Sequence, residues 1–271
     1  MRPCNDEARF QHNTPMAKAR LTDPYHPRTR EYLQEVVRSL ARQESPFIQI
    51  VKEATGGIRG KQGGVLGVLP ASFNPPTAAH EALVREAKTA VPCDEILLIQ
   101  DQQAMDKELS GAQVEDRLLM LLALFGADQR ISVGIANRGL FLDKVEALKN
   151  RYQKDTQIYF IVGYDTITRV LHPVYYAHRE ESVRSLFAQA RFLVANRGAR
   201  GEQDLAELFG RQENQPFAAR VSPLTLPAKL AKISSSEVRR RLAEGRSIRG
   251  LVPPQLEEFL RTQGFYGRQD T

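Results

Sequence analysis

Val65-Leu66-Gly67-Val68-Leu69-Pro70-Ala71-Ser72-Phe73-Asn74-Pro75-Pro76-Thr77-Ala78-Ala79-His80 holds the transition that sets the fold. Residues 65–69 form a short, unbroken apolar run of the kind found in parallel strands covered on both faces. Residues 78–90 then carry Ala82, Leu83 and Ala87 at a helical spacing. A strand that feeds a helix through a short polar turn opens a βαβ unit. The alternation continues downstream. Strands are predicted at 95–99, 130–136, 157–162, 191–195 and 220–226, with helices at 112–125, 141–152, 181–189 and 235–243 between and after them. The expected fold class is α/β, a doubly wound and mostly parallel sheet. Such a sheet binds ligands beyond the C-terminal ends of its strands, near the switch point.

Upstream the pattern differs. Residues 1–28 are polar, with Pro3, Pro15, Pro24 and Pro27 scattered through them, and read as an irregular arm. Residues 29–43 place Tyr32, Val36, Val37 and Leu40 on one helical stripe. A second short helix is expected over 46–54, followed by the glycine-rich punctuation of 56–64. Residues 1–60 are therefore read as an N-terminal arm and helical extension packing on the core or on a second subunit. Residues 61–271 are read as the main domain, with homo-oligomerisation left open.

The bulk numbers narrow the function classes. In 271 residues, 42% are apolar and 26% charged, both ordinary for a soluble globular chain. No run of eighteen apolar residues is present, so no membrane span is expected, and the polar N-terminus does not read as a secretory signal. Cys4 and Cys93 sit at no metal-like spacing, which fits a reducing compartment, cytoplasmic with the nucleus also open. The net charge of +6 is spread along the chain, with a local cluster at Arg239-Arg240-Arg241 and no long basic tract. A site for small-molecule phosphates accounts for that charge, and nucleic acid is not the expected partner.

Two segments carry chemistry. Thr77 and His80 stand three apart where the first strand gives way to the first helix, beside free amides and the positive end of a helix dipole. Both side chains could then meet one phosphate, although Asn74-Pro75-Pro76 as a turn with Thr77 as an N-cap explains the same residues. In Lys232-Ile233-Ser234-Ser235-Ser236-Glu237-Val238-Arg239, Ser234 and Glu237 form a capping-box pattern, and Arg239 falls one turn further in. That arrangement makes an anion site, or a well-capped surface helix with a basic face.

Ser-Phe-Asn-Pro-Pro followed by Thr77-x-x-His80 resembles the first signature of nicotinamide/nicotinate mononucleotide adenylyltransferases, within the (H/T)xxH nucleotidyltransferase superfamily. Ile-Ser-Ser-Ser-x-Val-Arg resembles their second signature. The resemblance spans roughly residues 64–267 and extends to Leu251-Val252-Pro253 and the terminal Gly264-Phe265-Tyr266. It implies a Rossmann-like nucleotidyltransferase domain. His80 would contact the triphosphate and stabilise charge as pyrophosphate leaves, with Thr77, Lys107 and Arg239 completing the catalytic set. Ser72, Phe73, Ser234, Ser235 and Ser236 match nucleotide-binding positions. Gly163 and Asp165, in Gly163-Tyr164-Asp165, match the Gly-x-Asp whose carboxylate binds the ATP ribose. Ser72, Phe73 and Lys107 also take acceptor-facing positions.

Gly163-Tyr164-Asp165-Thr166-Ile167 and Leu171-His172-Pro173-Val174-Tyr175-Tyr176 resemble a divergent, fungal-type branch of the family, and the chain departs from the common pattern elsewhere. Ala79 stands where many relatives have glycine. The chain has no tryptophan, so His172, Tyr175 or Tyr176 would replace the one that stacks on the pyridine ring. Arg138-Gly139-Leu140-Phe141-Leu142-Asp143 replaces a Ser/Thr-Tyr-Thr…Thr-Leu pattern.

The expected function is transfer of AMP from ATP to nicotinamide or nicotinate mononucleotide, giving a dinucleotide and pyrophosphate. Magnesium would arrive with ATP, held chiefly by the phosphates and by no protein metal site. The alternatives are another acceptor (pantetheine phosphate, or a cytidylyl acceptor) and a nucleotide-binding regulator without turnover. An RNA-binding reading rests only on a distant similarity of Ile-Ser-Ser-Ser to the Lys-Met-Ser-Lys-Ser loop of class I aminoacyl-tRNA synthetases.

Overall fold

The computed structural model describes residues 22–102, 111–263, 265 and 266. Its strands are β1 (Ile48–Lys52), β2 (Val65–Ala71), β3 (Glu95–Asp101), β4 (Ile131–Ala136), β5 (Gln157–Gly163), β6 (Ala190–Ala195) and β7 (Val221–Leu224). They form one sheet in the order β1-β4-β3-β2-β5-β6-β7. From β4 across to β7 every neighbouring pair is parallel, whereas β1 runs antiparallel to β4 at the edge. β4 is buried at every position, and its residues are apolar or small, with Ser132 its one polar member.

The chain proceeds from β2 outward to β3 and β4, then returns to β5 on the other side of β2. The switch point lies between β2 and β5, and the crevice it opens is where a doubly wound sheet takes its ligand. Helices α1 (Pro27–Leu40), α2 (Ala78–Ala90), α3 (Val114–Phe125), α9 (Ser235–Ala243) and α10 (Pro254–Gln263) share one core, through Leu33, Ala82, Leu118, Val238 and Phe259. Helices α4 (Phe141–Lys149), α5 (Tyr164–Val170), α6 (Arg179–Gln189) and α7 (Glu202–Gly210) share the opposite core, through Val145, Ile167, Leu186 and Leu205. The one-turn α8 (Ala228–Ala231) leads into α9. No helix among the described residues is long and apolar enough to cross a membrane.

The second helix expected over 46–54 is corrected: Ile48–Lys52 is a strand. Apolar Ile48 and Ile50 alternate with half-buried Gln49, and β-branched side chains pack well on a pleated surface. Asn137 holds the segment in place. It accepts from the Phe47 N–H at 2.8 Å and donates to Gln43 and Ser45 carbonyls at 3.0 and 2.8 Å. Gly134 admits the strand, because a Cβ there would stand 2.9 Å from Ile50 Cδ1 and 3.1 Å from the Gln49 carbonyl oxygen. Thus β1, from within the stretch read as an N-terminal extension, is an edge of the main sheet.

At the opposite end from the crevice, buried Glu95 ties the strands together. Its carboxylate accepts from Ser132 Oγ at 2.6 Å, Tyr152 Oη at 2.7 Å and the Ile58 N–H at 3.0 Å. Every lone carboxylate oxygen buried there has a donor, as a buried charge requires.

Candidate active site

A cavity of about 300 Å³ opens at the switch point. Its walls come from the C-terminal ends of β2, β5 and β6 and the starts of α2, α5 and α9. Ser72, Thr77, His80, Gly163, Asp165, Ser234, Ser235, Ser236 and Arg239 all line it.

The loop from β2 to α2 positions the histidine. Phe73 has φ 41°, a left-handed backbone rare outside glycine and often retained where a site needs it. Its side chain turns inward and is 1% exposed, so Phe73 does not line the cavity. Its ring instead packs under His80, centroids 5.1 Å apart. Thr77 caps α2 and is likewise buried. The Thr77 N–H donates to His80 Nδ1 at 3.0 Å, and Thr77 Oγ1 lies 2.8 Å from the same nitrogen. Nδ1 is therefore the acceptor nitrogen, and the neutral ring carries its proton on Nε2, the edge left for the cavity. Burial, reinforced by the charge of Arg197, lowers the His80 pKa to about 4. At neutral pH His80 is a neutral Nε2–H donor. Thr77 contacts the histidine through both its N–H and its hydroxyl.

The second signature docks onto the first. Ser234 caps α9 and accepts from the Glu237 N–H at 3.2 Å. Ser235 Oγ donates to the Pro75 carbonyl at 2.8 Å, and Arg239 Nη1 donates to the Asn74 carbonyl at 2.6 Å. Arg239 Nη2 reaches Ser236 Oγ at 3.3 Å. Its neighbours face elsewhere: Arg240 pairs with Glu237 and Glu244, and Arg241 with Glu237. The arginine cluster thus divides into one cavity cation, Arg239, and two arginines held in surface ion pairs.

Opposite stands the end of β5. Asp165 is exposed and lies 3.8 Å from Arg197 Nε, whose Nη1 donates to the Ile233 carbonyl at 2.6 Å. Gly163 has an ordinary extended backbone, and a Cβ built there meets nothing within 4 Å. The protein does not need that position empty; only an occupant of the cavity would feel a methyl group. Gly163→Ala should lower stability by no more than about 1 kcal/mol, from the poorer N-cap, yet raise the apparent KM for ATP severalfold. An unchanged KM would show that ligand does not approach this strand end.

Several residues arrive without having been read as site residues. Arg117, Arg169 and Arg197 line the cavity with Arg239, against the acids Asp101 and Asp165. Asp101, at the end of β3, pairs at 2.9 Å with Lys144, a fully buried lysine on α4 whose Nζ also donates to the Arg138 and Gly139 carbonyls. The surplus of cations suits a polyphosphate. In sequence, Arg197 is signalled by its place just beyond a buried strand, in the stretch 191–198 that resembles the family's strand ending in Arg-x-Gly. Lys144 carries no signal, since an α-helical lysine is usually solvated.

Other expected residues lie elsewhere. His172, Tyr175 and Tyr176 surround the turn after α5 and do not line the cavity; Tyr176 Oη donates instead to the Val170 carbonyl at 2.7 Å. Lys107 lies outside the described residues, as does Gly264. Ala79 contributes to the cavity wall, so the methyl group that replaces the common glycine is accommodated. Among the described residues no group of three His, Cys, Asp or Glu side chains could hold a metal.

The sequence profile described as cytidylyltransferase-like matches residues 68–241, from β2 through the second signature. The chain belongs to that family. It is a nucleotidyltransferase, and several of its relatives within the family are informative. A Gemmatimonas aurantiaca protein named "Probable nicotinate-nucleotide adenylyltransferase" is 30% identical over 206 residues, covering 74% of this chain and 92% of its own. A Schizosaccharomyces pombe protein named as a nicotinamide mononucleotide adenylyltransferase is 29% identical over 138 residues, 49% of this chain and 54% of its own. Among solved structures, the Plasmodium falciparum nicotinic acid mononucleotide adenylyltransferase complexed with NaAD superposes with a TM-score of 0.56 at 18% identity, covering 75% of this chain and 97% of that one. That last likeness establishes the shared Rossmann-like fold.

Proposed function

We propose that this nucleotidyltransferase moves AMP from ATP onto a pyridine mononucleotide, nicotinamide or nicotinate mononucleotide, and releases pyrophosphate. The observation that carries the reading is the convergence of His80, Ser236 and Arg239 on one wall of the cavity, facing Gly163 and Asp165. The names of the relatives support the acceptor class.

In this reading an acceptor phosphate oxygen attacks the α-phosphorus of ATP in line. The new P–O bond forms as the bond to the bridging oxygen of the β-phosphate breaks, and pyrophosphate carries the electron pair away. No protein nucleophile is needed, because such transfers depend on positioning and charge stabilisation. The Nε2–H of His80 and the guanidinium of Arg239 meet the charge that develops on the leaving group. Asp165 accepts from the ATP ribose, and Ser72 and Lys107 hold the acceptor phosphate. Magnesium enters as Mg·ATP, a substrate whose phosphates supply most of its ligands. That agrees with a cavity richer in arginine than in free carboxylates.

Pyrophosphate release tests the reading, measured with Mg·ATP and nicotinamide mononucleotide, nicotinate mononucleotide, pantetheine phosphate or no acceptor. The expected result is release that requires a pyridine mononucleotide, with the dinucleotide formed in equal amount. Release with pantetheine phosphate alone, or none with any acceptor, would overturn it.

A further inference from the structure

The terminal Phe265-Tyr266 belongs to none of the cavity walls, yet Tyr266 reaches the middle of the site's framework. Its φ of 65° is left-handed, a conformation that costs a non-glycine residue about 1 kcal/mol or more and persists where surroundings enforce it. Its hydroxyl is bound to Asn74. Tyr266 Oη donates to Asn74 Oδ1 at 2.7 Å, and the Ala112 N–H donates to the same oxygen at 3.3 Å. The backbone carbonyl of that asparagine is the acceptor that anchors Arg239 at 2.6 Å. Asn74 is 7% exposed. The junction has no slack: a Cβ on Gly111 would stand 2.7 Å from Asn74 Oδ1 and 3.1 Å from Arg239 Cδ. Burial raises the Tyr266 phenol above its ordinary pKa, so the hydroxyl stays a donor at neutral pH.

We propose that Tyr266 is a positioning residue for the nucleotide grip: through Asn74 it fixes where Arg239 presents its guanidinium. Without the phenol, Asn74 Oδ1 loses its 2.7 Å hydrogen bond, and the carbonyl that anchors Arg239 is held less firmly. The inference rests on the adenylyl-transfer reading only in taking ATP as the nucleotide held.

Tyr266→Phe keeps the ring and deletes the donor, so the experiment compares it with Arg239→Ala and with the double variant. Mg·ATP affinity is measured by titration calorimetry on the full chain, and thermal stability is followed in parallel. Residues acting through one another give non-additive effects. Tyr266→Phe should bind Mg·ATP about fivefold more weakly with Tm within about 2 °C of wild type. Arg239→Ala should lose at least about tenfold, and the double variant no more than Arg239→Ala alone. Wild-type affinity in Tyr266→Phe would overturn the proposal, as would a fivefold loss that multiplies onto Arg239→Ala, or one accompanied by a large fall in Tm. A wild-type protein that binds Mg·ATP but releases no pyrophosphate with any pyridine mononucleotide would sink the adenylyl-transfer reading alone. A wild-type protein that binds no Mg·ATP would sink both.

Discussion

Replacing His80 with alanine is expected to lower kcat/KM for pyrophosphate release by about 100- to 1,000-fold, the usual effect of removing one preorganised donor at a developing charge. The size follows from how the ring is fixed. Thr77 holds Nδ1 as an acceptor and Phe73 packs beneath the ring, so the Nε2–H is aimed before substrate arrives. Preorganisation of that kind leaves little reorganisation for the transition state to drive. His80→Asn, which retains an N–H donor on a shorter side chain, should recover part of the loss. A His80→Ala enzyme with near-normal kcat/KM would remove His80 from the chemistry.

The lowered pKa adds a pH signature. His80 titrates at about 4 in the folded chain, against 6.5 for an unperturbed histidine. Activity of the free enzyme should therefore show no step near pH 6.5 from this residue. Stability should. Between pH 6.5 and about 4 the unfolded chain takes up a proton that the folded chain refuses, so His80 contributes stability that is fully present above 6.5 and is lost as pH falls through that window. His80→Ala should flatten the dependence of Tm on pH in this interval, and an unchanged slope would refute the assignment.

Lys144→Met is expected to lower stability by about 3 kcal/mol and Tm by roughly 6–10 °C. Lys144 is 1% exposed and its partner Asp101 18%. Burial pushes the Asp101 carboxyl above its ordinary pKa while the lysine pulls it back. Removing the ammonium leaves a carboxylate in a poorly solvated place and strips the Arg138 and Gly139 carbonyls of a donor. The rest of the pair then becomes the liability, because orphaned buried charge costs more than the pair contributes. Thermal unfolding of Lys144→Met against Lys144→Met/Asp101→Asn separates the two effects: the double variant should regain part of the loss. No recovery would mean that the carbonyl contacts, and not the stranded charge, dominate.

The fold was legible wherever local pattern and global role agree. Residues 65–90 and 235–243 announce their elements because apolar periodicity, turn residues and caps all point the same way there. Residues 46–54 do not, since Phe47, Ile48, Ile50, Val51 and Ala54 satisfy helical and strand spacing alike. The choice is made by Asn137 and by a β4 edge that accepts a partner, both far away in sequence. Helices α5, α7 and α10 escaped notice because each offers only a few apolar residues to one face. In the cavity, the residues at strand ends and helix starts could be named from sequence, since position alone aims them at a phosphate. His172, Tyr175 and Tyr176 could not be placed that way. Their position depends on where α5 carries the chain, and it carries them past the opening. Lys144 needed the topology itself.

The bonds that join Ser235 to Pro75, Arg239 to Asn74 and Tyr266 to Asn74 span 160, 165 and 192 residues of chain. Contacts of such long loops are paid for late, after chain-closure entropy has been met by packing elsewhere. The pocket is thus among the last features to exist during folding, and no short contiguous fragment of the chain contains it. A ligand that binds only the completed pocket then favours complete molecules over partly folded ones by simple mass action.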